Sequence, residues 1–406
     1  MLFQTLDDKS ECVGIYYDRR LCFDASEFPE GLSQTWNYSA YLRDHKDIEY
    51  ANLYVEGRKI HEVVPEYLKE DWEEVATRLL SYSRSLEIAK VNIHDNCIYD
   101  LTPQRFLMEF CEVKNNITEY VLKNYERPRR YKYLLKVCQM LEGVSTARLN
   151  INTRRLQTYL STQNAIPAAK RLLGVSPYIK YNQFGTKTGR LTTRTNSFPI
   201  LTLKKSLRTV VEPHNDYFLE LDFNGAEVRV MMGLLGMDQP TTDVHQFHKD
   251  QVFKGKASRE EAKTAFFAWL YGSKSEETRV YAKTLEKFYN KDSILDQYWD
   301  GKKIYTPYRK EIDNVGEHHA LNYIVQSTAA ELTLLQAMKI DHLLRTRGSK
   351  SKITCIIHDA IVIDFSKEDE HLLGDIKKLM SSTKFGEFGI NISSGNNLGS
   401  FKEFPV

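Results

Sequence analysis

An α+β fold is predicted from three stretches of this 406-residue chain. Residues 217–233, YFLELDFNGAEVRVMMG, open as an apolar strand, set down one carboxylate at Asp222 and pass into helical spacing. Residues 353–365, ITCIIHDAIVIDF, are two β-branched runs around His358-Asp359-Ala360, which reads as a tight hairpin with Asp359 at its tip. Between these lies a helix opened by Ser258-Arg259-Glu260-Glu261, a capping-box signature. Antiparallel pairing would set the hairpin tip beside the end of the first strand, joining Asp222 to Asp359. An aspartate in a turn is common, and either one alone says little. A pair at a sheet rim, where backbone carbonyls are also free to ligate, suits hard cations and in-line phosphoryl transfer.

Composition bounds the remaining choices. Hydrophobic residues make up 42% and charged residues 27%, as in a globular protein with a sizeable core. No window approaches eighteen apolar residues, and MLFQTLDDKSE lacks a signal peptide's basic and apolar regions, so a soluble, cytoplasmic chain is expected, with no membrane partner. A net charge of +2 puts any nucleic-acid path on a local stripe rather than on the whole surface. The six cysteines form no CxxC pair and are expected as free thiols.

In chain order, residues 1–95 are expected to form a small α/β region of unassigned role. CVGIYYD, RLCFD and IEYANLYVEG read as strands, and residues 65–84 carry Leu68, Trp72, Val75, Leu79 and Tyr82 at helical spacing. Residues 96–175 read as helical and basic. Within them NYERPRRYKYLLK interleaves Arg127, Arg129, Arg130, Lys132 and Lys136 with tyrosines, the pairing of cations and flat rings that a nucleic-acid surface uses. A solvated helix face is the plain alternative. On the helix after Ser258, Arg259, Lys263, Phe267 and Tyr271 recur every fourth residue and share a face, with Ala262, Phe266, Trp269 and Leu270 left for packing. Two cations followed by two rings can meet a triphosphate first and a sugar and base next. SEETRVYAKTLEKFYN reads as one further helix and DGKKIYTPYRK as a hairpin or loop. A long helix over residues 317–343 carries Asn322 and Gln326 one turn apart, amides able to touch base edges without choosing among sequences.

Taken together these stretches resemble the DNA polymerase I family (family A). DFNGAEVR is similar to the family's motif A, ASREEAKTAFFAWLYGS to motif B and IIHDAIVI to motif C. HHALNYIVQSTAAEL resembles the segment before motif C, and TGRLTTR the primer-side TGR motif. The resemblance runs from about residue 181 to the C-terminus, with all five motifs in order.

It implies a right-hand polymerase architecture: an antiparallel-sheet palm from residues 176–233 and 316–406, helical fingers from 234–315 and a thumb from 96–175. The implied activity is a DNA-directed DNA polymerase, a nucleotidyltransferase of replication or repair. Asp222 and Asp359 would be catalytic and, with the Phe223 carbonyl, would hold two Mg²⁺ ions, Mn²⁺ being the alternative. Glu227, His245, Arg259, Lys263, Phe267 and Tyr271 would bind the dNTP, with Glu227 crowding the ribose 2′ position. Arg190, Arg229, Asn322, Gln326 and His358, with Arg129, Arg130 and Lys132 of the thumb, would bind primer-template DNA. A processivity factor or a separate proofreading exonuclease is a further candidate partner, the latter because residues before 176 show no exonuclease-like acidic set. Departures from the family pattern are Ala360 in place of a Glu, Gly225 in place of a longer polar residue, His318 in place of an Arg, and FPILT after the TGR segment. A catalytically inactive polymerase-like DNA-binding protein, for which Ala360 speaks, and a relative of single-subunit RNA polymerases are the alternatives.

Overall fold

A computed structural model describes residues 1–9, 11–92, 95–161, 166–273 and 276–404. The chain folds as two compact units, Met1–Thr146 and Ala147–Val406.

In the first unit β1 (Phe3–Asp8), β2 (Glu11–Tyr17) and β3 (Arg20–Cys22) form an antiparallel sheet in that order. Helix α1 (Glu66–Ile88) starts after Pro65 and α2 (Gln104–Asn124) after Pro103, where the missing proline N–H costs no helical bond. The two helices pack through aromatic side chains, Trp72 on Phe110 and Tyr82 on Phe106, with ring centroids 5.8 and 5.0 Å apart. The strand expected at IEYANLYVEG is instead the two-residue strand Glu49–Tyr50 followed by one helical turn, Ala51–Tyr54. Tyr50, Ala51, Leu53 and Tyr54 are all buried, a spacing that a helical turn accommodates and an alternating strand does not. Helix α3 (Tyr131–Thr146) follows a loop at 125–130 that contains Pro128.

The second unit is built on a five-stranded antiparallel sheet. Its strands are β4 (Tyr217–Phe223), β5 (Lys352–Ile357), β6 (Ala360–Phe365), β7 (Ile390–Gly395) and β8 (Lys402–Glu403), in spatial order β5-β6-β4-β7-β8. Every residue of β6 is buried, which suits the apolar run 360–363, and the buried Asp364 accepts the backbone N–H groups of His214 and Asn215. Helix α4 (Ala226–Leu234) leaves β4 through Gly225, whose φ of +72° is left-handed. A Cβ at Gly225 would lie 2.4 Å from Val244 Cγ1, so this departure from the family pattern lets the 243–247 segment close over the helix start.

Helix α5 (Arg259–Leu270) begins with the expected capping box, Ser258 and Glu261 each satisfying the other's backbone N–H. Its inner face buries Ala262, Phe266 and Leu270, and Trp269 stacks on Tyr289 at 5.9 Å. Helices α6 (Glu276–Phe288) and α7 (Lys291–Tyr298) follow, Ser275 of the expected helix lying outside the described residues. The short hairpin Ile304–Tyr305 with Glu311–Ile312 matches expectation. Helix α8 (Glu317–Thr346) buries residues from several directions, among them Ile324, Val325, Leu332 and Ile340. None of the six cysteines is in a disulfide. Among the described residues no helix is long and apolar enough to cross a membrane.

Candidate active site

Strand register decides where the two aspartates meet. Asp222 stands opposite Ala360 on β6 and opposite Asn391 on β7. Ile357 pairs with Ala360 across a two-residue turn, so Asp359 is the turn residue next to Asp222's own cross-strand partner. His358, the first turn residue, takes a left-handed φ of +58° and is exposed. Phe223 is buried, and its carbonyl accepts the Gly225 N–H at 2.7 Å, which leaves it one lone pair.

The charges at this rim are unbalanced. Burial, then Asp359 and Glu220, pushes the Asp222 carboxyl up to about 7, against the pull of Asn391 and Lys263. Burial also raises Asp359, with Arg190 and Lys263 opposing. Lys263 is thus felt by both carboxylates, which links α5 to the rim of the sheet. Among the described residues neither aspartate has a salt-bridge partner, nor do three acidic, His or Cys side chains group at metal-holding distance. The donor set is therefore two carboxylates and a carbonyl, all oxygen. It fits a hard divalent cation, which would offset the burial and the repulsion that raise Asp222.

Around this pair, Glu227 is 7% exposed and ion-paired to Arg190, and its carboxyl is raised by burial and then by Asp359. His358 is lowered by burial and by Arg190 and Arg208. On the α5 side, His245 is buried, pushed down to about 4 chiefly by burial, and its Nδ1 has no hydrogen-bond partner. Its ring centroid is 6.1 Å from that of Phe267, which in turn stacks on the exposed Tyr271 at 6.1 Å. Lys263 is exposed. Arg259 is paired with Asp243 through Nη2 at 2.8 Å and with Glu260 through Nη1 at 2.5 Å. Asn322 and Gln326 are half-buried on α8, the Asn322 Oδ1 without a partner, and His318 is exposed.

One expected DNA contact is corrected. Arg229 is 0% exposed and donates to the carbonyls of Asn224, Pro240 and Thr242 at 2.7, 2.9 and 3.1 Å. A guanidinium so enclosed cannot reach a phosphate; it pins the β4–α4 turn to the chain beyond α4. In the first unit, Arg127 pairs with Glu49 at 3.3 Å and lies 4.7 Å over Tyr131, which ties it to the fold. Arg130 lies 4.4 Å over Tyr133, while Arg129 and Lys132 are exposed.

Two residues absent from the sequence reading join the site, Asn224 and Asp243. Asn224 Nδ2 donates to Asp243 Oδ2 at 2.9 Å, and its Oδ1 accepts the Val244 N–H at 2.8 Å. Asp243 caps the short helix Val244–Phe247, a role that an aspartate just before an apolar turn could have signalled.

No family model matches the chain. DNA polymerase I of Aquifex aeolicus is 23% identical over 234 residues, 47% of this chain and 39% of that protein. DNA polymerase I of Borreliella burgdorferi is 22% identical over 270 residues, 55% of this chain and 30% of that protein. The POL domain of Pol1 from M. smegmatis, in complex with DNA primer-template and dNTP, superposes with a TM-score of 0.59 and 13% identity, covering 73% of this chain and 76% of that one. The chain resembles the DNA polymerase I family. The matches span 39% and 30% of these two curated DNA polymerase I sequences, while the likeness to the solved POL domain is one of fold.

Proposed function

We propose that the chain is a template-directed DNA polymerase that adds dNTPs to a primer 3′ end, in DNA replication or repair. The observation that carries this reading is the register that sets Asp222, at the end of β4, opposite Ala360, the neighbour of the turn residue Asp359, with Lys263 of α5 felt by both carboxylates. In this reading residues 176–233 and 316–406 are the palm, 234–315 the fingers and 96–175 the thumb of a right-hand architecture.

Asp222, Asp359 and the Phe223 carbonyl would hold Mg²⁺, or Mn²⁺. Bound as a pair, such ions lower the pKa of a primer 3′-hydroxyl and offset charge on the leaving group. The chain's own groups then do the positioning, which is most of catalysis in phosphoryl transfer. Lys263 and Arg259 offset the triphosphate charge, and His245, neutral at physiological pH, has a free Nδ1 for a hydrogen bond. Phe267 and Tyr271 offer faces to sugar and base. Glu227, fixed by Arg190, crowds the 2′ position, and Arg190, Asn322, Gln326 and His358 face the DNA. Ala360 takes one carboxylate from the family pattern but leaves Asp222 and Asp359 at adjacent positions of the rim. The test is primer extension on a DNA template with dNTPs or NTPs. Extension with dNTPs alone is expected. Binding of primer-template without extension supports an inactive DNA-binding protein instead, and preference for NTPs supports the RNA polymerase relationship.

A further inference from the structure

Arg259 is usually expected to meet a ligand as a free cation, yet here its guanidinium is already committed. Nε donates to Asp243 Oδ1 at 3.0 Å and Nη2 to Asp243 Oδ2 at 2.8 Å, a two-bonded fork. Asp243 is itself held on both oxygens: its Oδ1 accepts the backbone N–H groups of His245 and Gln246 at 3.0 and 2.8 Å, and its Oδ2 accepts Asn224 Nδ2 at 2.9 Å. Asn224 lies two residues after Asp222, and its carbonyl accepts Nε of the buried Arg229 at 2.7 Å. A continuous hydrogen-bonded path therefore runs from the end of β4 to the first residue of α5.

We propose that Asn224 and Asp243 are positioning residues that set Arg259, and with it the first turn of α5, in register with the Asp222 strand end for an incoming nucleoside triphosphate. The inference rests on the polymerase reading. The fork fixes the guanidinium plane, Glu260 accepts one N–H of Nη1 at 2.5 Å, and one N–H on each Nη remains for phosphate oxygens. The same Asp243 carboxylate sets the backbone of His245, so two triphosphate-side groups take their places from one anchor. Asp243 does not touch substrate; its effect passes through Arg259.

The experiment is a double-mutant cycle on the full chain, with steady-state primer extension over a range of dNTP. Asp243→Asn keeps the helix cap but sets an amide N–H₂ against Arg259 and Asn224. Its KM for dNTP is expected to rise about tenfold, the scale of one charge-assisted hydrogen bond, with a far smaller fall in kcat. Arg259→Ala should raise KM similarly, and the double variant should be no worse than Arg259→Ala alone. Independent, multiplying effects, or an unchanged KM in Asp243→Asn, overturn the proposal while leaving the polymerase reading intact. A wild-type chain that does not extend primers overturns that reading and the proposal with it. Should Asp243→Asn fail to fold, Arg259→Lys decides: lysine keeps the charge but cannot form the fork, so KM should approach that of Arg259→Ala. A KM near wild type overturns the proposal.

Discussion

At Asp222 burial and the neighbouring Asp359 make ionisation unfavourable. A carboxyl raised from 3.8 to about 7 contributes stability that is full below the unfolded value and is lost as pH climbs through the folded one. In chelator, Asp222→Asn should therefore melt higher than wild type at pH 8, by roughly 2 °C or more, and the difference should vanish near pH 4. Added Mg²⁺ should raise the wild type and barely move the variant. Equal melting temperatures at pH 8 would contradict this electrostatic account. Arg229 yields the opposite kind of prediction, one about stability rather than binding. Arg229→Met leaves several buried carbonyls unpaired and should cost about 3 kcal/mol or more in denaturant titration. The affinity of the folded fraction for duplex DNA should not change, and a loss of affinity at full stability would return Arg229 to the interface. Charge type was legible at this position, but burial was not, because two of the three carbonyls around Arg229 arrive from residues eleven and thirteen positions away.

Among the elements, α5 was the most legible: a capping box fixed its start, and a four-residue period separated its packed face from its outer one. Phe267 lies on the outer face, half-buried between His245 and Tyr271. If the sugar of a dNTP meets it there, Phe267→Tyr adds a hydroxyl that can replace the 3′-hydroxyl missing from a dideoxynucleotide. One such bond to a charged group is worth about 1.5–3 kcal/mol, so the ratio of kcat/KM for ddNTP over dNTP should rise roughly 10- to 150-fold. A ratio that does not move removes Phe267 from the sugar. The basic stretch before α3 was less legible, since Pro128 holds residues 125–130 out of the helix and Arg127 is bound to Glu49. For Arg129, Arg130 and Lys132, joint replacement by Ala should lower the salt slope of log K for duplex by about one unit for each phosphate these side chains neutralise. An unchanged slope makes them a solvated surface.

For the molecule as a whole, local pattern located β4 and the β5–β6 hairpin, while β7 and β8, which complete the sheet, were not read from the sequence. Asp222 and Asp359, 137 positions apart in sequence, were legible as a pair because antiparallel pairing has few ways to place a hairpin tip. The Asn224–Asp243–Arg259 path was not legible, because it depends on how a loop closes over Gly225. Nor was the compact unit Met1–Thr146, in which aromatic contacts between α1 and α2 straddle residue 95. The central claim, that one rim of one sheet performs phosphoryl transfer, is tested most directly by single-turnover incorporation of one dNTP into a primer-template. Asp222→Asn and Asp359→Asn should each slow the chemical step by at least about a hundredfold, the scale of losing one preorganised electrostatic group, with DNA binding largely kept. Incorporation by either variant at close to the wild-type rate would contradict the account.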